Sequence, residues 1–261
     1  MRIFTNPVDA TKEVERDLWE MGIVVHPQTM QDKVVGHLPE YTTKEIRGYA
    51  FKLSGWQYNW DDIVEVVKYF MPKEVDNVLA YCQKEIIDRV GHQPLNPGNS
   101  YLERPDVWDE FLHHGKFAYT YSERMAIQVH QILNELVERP DTRQGIITMH
   151  TNICPTIQGL VINQDREANY VELSADFYNR GGGGRIPCSM YYQVMIREEK
   201  IDIIYTMRSC DLLTHFPIDI SLALMLQNWF AKQLKIEMGT FTYFVGSLHA
   251  YYKDIADRGV F

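Results

Sequence analysis

Arg185-Ile186-Pro187-Cys188-Ser189, followed by Met190-Tyr191-Tyr192-Gln193-Val194-Met195-Ile196, sets a cysteine behind a proline at the start of an apolar strand. A charged turn, Arg197-Glu198-Glu199-Lys200, leads to a second strand from Ile201 to Met207, which ends in Arg208-Ser209-Cys210-Asp211. After a loop, Phe216-Pro217-Ile218-Asp219-Ile220 reads as the entry to a helix. A third strand, Phe241 to Val245, runs into Gly246-Ser247-Leu248-His249-Ala250-Tyr251. A strand-borne thiol, an arginine–serine pair, a buried-looking carboxylate and a His-x-Tyr pair are the parts of a nucleophilic site for a phosphorylated ligand.

Upstream, residues 1–60 read as short strands and turns, with Ile23-Val24-Val25 and Gly48–Leu53 as the strands. Asp61 and Asp62 precede a short helix with Ile63, Val64, Val66, Val67 and Phe70 on it. Apolar residues recur at helical spacing from 74 to 91 (Val75, Val78, Leu79, Cys82, Ile86, Val90), which puts Glu85 near the buried edge of a helix. Residues 92–107 form a loop rich in turn residues. Ser122 is placed to cap a helix over 123–138, and Pro140-Asp141-Thr142-Arg143-Gln144 turns that helix into the strand Ile146–Met149. The run Gly181–Gly184 lacks the lysine and hydroxyl residue of a phosphate loop and reads as a turn. Alternating strands and helices indicate one α/β (α+β) domain over residues 1–261.

Composition narrows the classes. Hydrophobic residues make up 45% and aromatics 12%, the make-up of a folded chain able to bury a large core. A net charge of −9 argues against a nucleic-acid polymer as main partner, but leaves room for one phosphate held by a few arginines. There is no apolar run of membrane-spanning length and no signal-peptide pattern at the N-terminus, so a cytoplasmic location is expected. Cys82, Cys154, Cys188 and Cys210 show no CxxC spacing, which fits reduced thiols better than disulfides or a metal site.

Each candidate also has a plain structural reading. A strand cysteine is commonly a small buried hydrophobe. For Cys188 the preceding proline, the nearby Arg185 cation and the polar Ser189 favour a reactive thiol, while Cys210 reads as structural. Arg208-Ser209 offers a guanidinium fork and a hydroxyl to a phosphate, or a surface ion pair. His249 and Tyr251, two apart on a strand, share a face suited to a sugar, or form a core pair. Glu85 alone reads as a surface glutamate, and Asp219 alone as a helix cap.

Taken together and in order, Pro187-Cys188, Arg208-Ser209-Cys210-Asp211, Pro217 before Asp219, and Gly246 to Tyr251 resemble the thymidylate synthase superfamily. The resemblance covers about residues 75–254. It implies a large mixed sheet with flanking helices, packed back to back with a second copy in a homodimer. It makes Cys188 the nucleophile, Glu85 the catalytic glutamate, Tyr121 the active-site tyrosine, Trp108 the folate-side tryptophan and Arg143 an arginine lent across the dimer. Arg208, Ser209, Asp211, His249 and Tyr251 then bind a pyrimidine nucleoside monophosphate, with 5,10-methylenetetrahydrofolate as co-substrate and no metal.

Departures from the synthase pattern are informative. Asp219 stands where synthases carry an asparagine that reads uracil, Ser189 where they carry histidine, and Gly246-Ser247-Leu248 where they carry Gly-Asp-x. These changes, with Gln83-Lys84-Glu85, resemble the phage deoxycytidylate hydroxymethylase branch, which implies a hydroxymethyl product on dCMP or CMP for DNA modification in a host cytoplasm. The alternatives are a 5-methyl product by reductive methylation, as in a dCMP methyltransferase or a thymidylate synthase, and a non-catalytic nucleotide- or RNA-binding family member. A carboxylate accepts from the cytosine amino group and can share a proton with N3, whereas it opposes the O4 of uracil with its own lone pairs. Asp219 therefore argues for a cytosine base. Gln144 departs from the second arginine of the partner-lent pair, and the chain ends soon after Tyr251, without the family's tail that closes over folate.

Overall fold

Apolar residues at every second position give a strand one face that has to be buried, and this pattern dominates the second half of the chain. The protein is described by a computed structural model over residues 1–30, 33–150 and 186–256. Along the chain run β1 (Arg2–Phe4), α1 (Pro7–Met21), β2 (Ile23–Val25), β3 (Thr29–Met30), β4 (Lys33–Val34), β5 (Thr43–Leu53) and α2 (Trp60–Phe70). There follow α3 (Val75–Val90), α4 (Pro105–Trp108), α5 (Tyr121–Glu138), β6 (Ile146–Thr148) and β7 (Ser189–Arg197). The described chain closes with β8 (Lys200–Asp211), α6 (Phe216–Leu234), β9 (Glu237–Tyr251) and α7 (Tyr252–Ala256).

Seven strands form one mixed sheet in the order β1-β5-β9-β8-β7-β6, with β2 also on β5, while β3 and β4 pair separately. The β8–β9 pairing is parallel because α6 crosses over between them, whereas the turn after β7 makes β7–β8 antiparallel. Helix α6 is buried on nearly every side, so it is apolar all round rather than striped. Its Phe216 packs among Phe51, Phe70 and Tyr243. The buried Gln227 is tolerated because its Nε2 donates to Ile201 O at 2.8 Å.

The structure corrects several expectations. Residues 7–21 are helical: Asn6 caps α1, Pro7 sits in its first turn, and Ala10, Thr11, Val14 and Leu18 form the buried stripe. Interleaved charges break the stripe into short apolar pieces, which hides its period. Helix α5 starts at Tyr121 and not at 123. Thr120 and Glu123 form a reciprocal capping box, and Ser122 is a buried helical residue whose Oγ accepts from Leu95 N. Helix α2 is capped by Asn59, with Asp61 and Asp62 inside its first turn. The loop at 92–107 includes the start of α4, and the strand expected at 48–53 begins at Thr43. Strand β8 continues through Arg208–Asp211, and β9 extends to Tyr251. Arg185, Cys154 and Gly181–Gly184 lie outside the described residues.

One discontinuity in the sheet shapes the functional end. In β8 the buried residues are Ile201, Ile203, Tyr205 and Met207, and then Cys210. In β9 they are Met238, then Phe241, Tyr243 and Val245 past an irregularity near its start, and then Leu248 and Ala250. Buried positions thus change parity along a line that crosses both strands. On the same line Gly48 adopts φ +70 opposite Gly246, and β7 shifts register between Ser189 and Tyr191. An irregularity of this kind re-aims the side chains beyond it. Gly246 lets the strands approach, since a Cβ there would stand 2.8 Å from Arg208 O. Gly246→Ala is therefore expected to cost about 1–3 kcal/mol of stability, read by urea unfolding, with Arg208 displaced and activity reduced.

Candidate active site

Ten of the eleven residues singled out from the sequence line one cavity of about 1230 Å³: Glu85, Trp108, Tyr121, Cys188, Arg208, Ser209, Asp211, Asp219, His249 and Tyr251. A pocket for one small ligand holds roughly 300–1,000 Å³, so this space admits two ligands side by side. The eleventh, Arg143, is exposed in the turn before β6 and outside the cavity wall; its carbonyl accepts from Gln193 Nε2 at 2.9 Å.

Cys188 lies in a bend just before β7 instead of on the strand. Arg208 holds that bend: its backbone N donates to Cys188 O at 2.8 Å, Nε to Pro187 O at 2.9 Å and Nη2 to Ile186 O at 3.0 Å. The same Nη2 lies 3.6 Å from Cys188 Sγ, and Ser209 Oγ lies 3.8 Å from it. Two donors thus point at the sulfur, where an attacking thiolate carries its charge. Ser189 does not share this setting. It is buried, and its Oγ is 2.6 Å from the Tyr205 hydroxyl, itself stacked on Tyr192. The polar neighbour of Cys188 therefore serves the core.

Glu85 is buried on α3 and fully engaged. Arg89 Nε donates to Oε1 at 2.7 Å and Ser100 Oγ to Oε2 at 2.5 Å. The Arg89 guanidinium also lies 4.4 Å above the Tyr121 ring. Asp88, one residue before Arg89, accepts from the backbone N of Asn99 and Ser100 and so fixes the loop that brings Ser100 to Glu85. Burial, then the nearby Cys188 and Asp219, raise the Tyr121 pKa, which keeps the phenol protonated. Arg89, Ser100 and Asp88 escaped the sequence reading. The i,i+4 Glu85–Arg89 spacing on a helix was the available signal.

Asp219 sits in the first turn of α6, where the helix dipole favours a negative charge; it is not the cap, a position held by His215. Cys210 Sγ lies 3.8 Å from Asp219 Oδ2. Burial, reinforced by Asp219, pushes the Cys210 thiol well above its ordinary value, so it is a neutral donor in contact with a site carboxylate. Asp211 accepts from Leu213 N at 3.1 Å and from Thr214 Oγ1 at 2.7 Å, shaping the turn into α6. His249 and Tyr251 do share a face, with rings 5.3 Å apart edge to face, and burial and then Asp211 push the Tyr251 pKa up to about 12. Trp108 stacks on Tyr81 at 6.3 Å and meets Phe111 and Phe117 edge-on, giving the cavity an aromatic wall. Among the described residues no group of three His, Cys, Asp or Glu side chains is placed to hold a metal ion, and no helix is long and apolar enough to cross a membrane.

The family model for thymidylate synthase matches residues 98–258. This chain belongs to the thymidylate synthase family. Family membership implies an enzyme of one-carbon transfer at a pyrimidine nucleotide, and the family uses methylenetetrahydrofolate as co-substrate. The fold agrees. Thymidylate synthase from phage T4 superposes with a TM-score of 0.60 at 16% identity, over 95% of this chain and 78% of that one. The thermostable thymidylate synthase A of Bacillus subtilis gives 0.61 at 13% identity, over 97% and 82%. No curated protein sequence matches the chain. The family match begins after α3, so the placement of Glu85 rests on the cavity geometry.

The Glu85–Arg89 pair is 10% and 3% exposed. Arg89→Met strands a buried carboxylate and is expected to cost about 3–5 kcal/mol in urea unfolding. The double variant Glu85→Gln/Arg89→Met is expected to recover a substantial part of that loss.

Proposed function

We propose that the protein is a pyrimidine nucleotide 5-hydroxymethyltransferase, converting dCMP (or CMP), methylenetetrahydrofolate and water to the 5-hydroxymethyl nucleotide and tetrahydrofolate. The observation that carries this reading is the Asp219 carboxylate in the same cavity wall as the Cys188 thiol. A carboxylate complements the amino edge of cytosine, and opposing it to a uracil carbonyl leaves two desolvated acceptors facing each other.

In this reading Cys188 Sγ adds to C6 of the base and makes C5 nucleophilic. Folate supplies the one-carbon unit, and the Trp108 wall with its stacked aromatics suits a flat heterocycle. Glu85, oriented by Arg89 and Ser100, positions water and moves protons, and the protonated Tyr121 assists. C5 attacks the folate methylene carbon, and loss of the C5 proton and of tetrahydrofolate leaves an exocyclic methylene on the base. Water adds to that carbon, and Sγ then leaves C6 so that the thiol is restored. Arg208 and Ser209 hold the phosphate, Asp211 lies beside them, and His249 and Tyr251 face the sugar.

Arg143 of the partner subunit completes the phosphate site. A homodimer is supported by the cross-strand row Tyr191–Thr206–Phe244, on a sheet face where Tyr191 is 36% and Phe244 41% exposed. A second copy would cover that face and carry its exposed Arg143 to the first copy's cavity.

Incubation with methylenetetrahydrofolate and, separately, dCMP, CMP and dUMP, with product mass and C5 tritium release followed, tests the reading. A hydroxymethyl product from a cytosine nucleotide is expected. A methyl product with dihydrofolate formed would make it a methyltransferase, and turnover of dUMP alone would refute the role of Asp219. Asp219→Asn is expected to lower kcat/KM for the cytosine nucleotide at least about 100-fold while raising C5 exchange on dUMP.

A further inference from the structure

The cavity holds a cation that the chemistry above leaves unused. Arg104, just ahead of α4, lines the same space as Trp108, and its side chain is only 9% exposed. Its Nε is buried without a hydrogen-bond partner, and among the described residues the guanidinium makes no hydrogen bond at all. Its one ion pair among them is with Glu74 at the rim, with Nη2–Oε2 at 3.5 Å and the glutamate 54% exposed. It lies 6.0 Å from the Tyr81 ring, and Tyr81 stacks on Trp108. A guanidinium withdrawn from water with open donors is costly unless a ligand satisfies it, and its planar fork suits acceptor oxygens.

We infer that Arg104 is a binding residue for the second ligand of the cavity, donating to acceptor oxygens of the folate while Tyr81 and Trp108 support its flat part. The assignment rests on the folate reading above. The oxygens belong either to the ring carbonyl or to the glutamyl carboxylates; both present the same chemistry to the fork. Glu74 competes for the guanidinium in the free protein.

Calorimetric binding of tetrahydrofolate, and of tetrahydropteroate, which has the same ring without glutamyl carboxylates, tests the assignment without relying on turnover. Arg104→Gln is expected to weaken tetrahydrofolate binding at least about tenfold, the scale of one charge-assisted hydrogen bond, with nucleotide affinity unchanged. An equal penalty on tetrahydropteroate places the interaction at the ring carbonyl, and disappearance of the penalty places it at the carboxylates. Glu74→Gln, at an exposed position that does not threaten folding, is expected to tighten tetrahydrofolate binding severalfold. Equal folate affinity in wild type and Arg104→Gln, an equal weakening for folate and nucleotide, or no change in Glu74→Gln overturns the assignment. Absence of any folate binding by the wild type overturns the folate reading along with it.

Discussion

The close passage of Gly246 over the backbone of Arg208 is the constraint on which the functional end depends. Without it the inward parity of Ile203–Met207 in β8 and of Phe241–Val245 in β9 would continue into the functional end, and the four residues Arg208–Asp211 would have no reason to change role. Because the parity changes there, Cys210 becomes a core residue touching Asp219, while Ser209, Asp211, His249 and Tyr251 remain at the cavity wall. The same passage sets Arg208, whose guanidinium then gathers the carbonyls of Ile186 and Pro187 and holds the bend that carries Cys188. A local steric allowance, the missing Cβ, thus places both the Cys188 thiol and the Arg208 guanidinium.

The second organising element is buried charge. Glu85 and Arg89 are withdrawn from water together, and neither is tolerable alone. Their mutual satisfaction fixes a carboxylate orientation that solvent would otherwise randomise, and Ser100 and Asp88 extend that order into the loop leading to the aromatic wall. The acid that faces the cavity is therefore rigid for electrostatic reasons, whereas Asp219 is fixed by helix geometry and a thiol contact.

Much of this was legible in the sequence, and the failures have physical causes. The strand cores and α3 followed from periodicity, and the placing of Cys188, Arg208 and Asp219 in one cavity followed from the family resemblance. Helix α1 was missed because Lys12, Glu13, Glu15 and Arg16 interrupt its apolar stripe, although Asn6-Pro7 is a strong start signal. Ser122 and Thr120 both carry a capping hydroxyl, and only the reciprocal bond from Glu123, three residues after Thr120, separates them. Cys210 reads as structural and is a core residue, whereas the polar setting read from Ser189 is a core hydroxyl pair, because a parity change in a strand has no signature beyond a glycine. Arg89, Ser100 and Arg104 owe their importance to tertiary placement, which spacing along the chain encodes only weakly.

The contrast between the two sulfurs at this site carries a consequence for reactivity. Cys188 is half-buried at the cavity surface, whereas Cys210 is 2% exposed and held as a neutral thiol. Among the described residues a thiol reagent that enters the cavity meets one accessible thiol, and the second is screened both sterically and by its protonation. Among the described residues the cavity is thus monovalent toward thiol reagents, and thiol alkylation within it counts sites one for one.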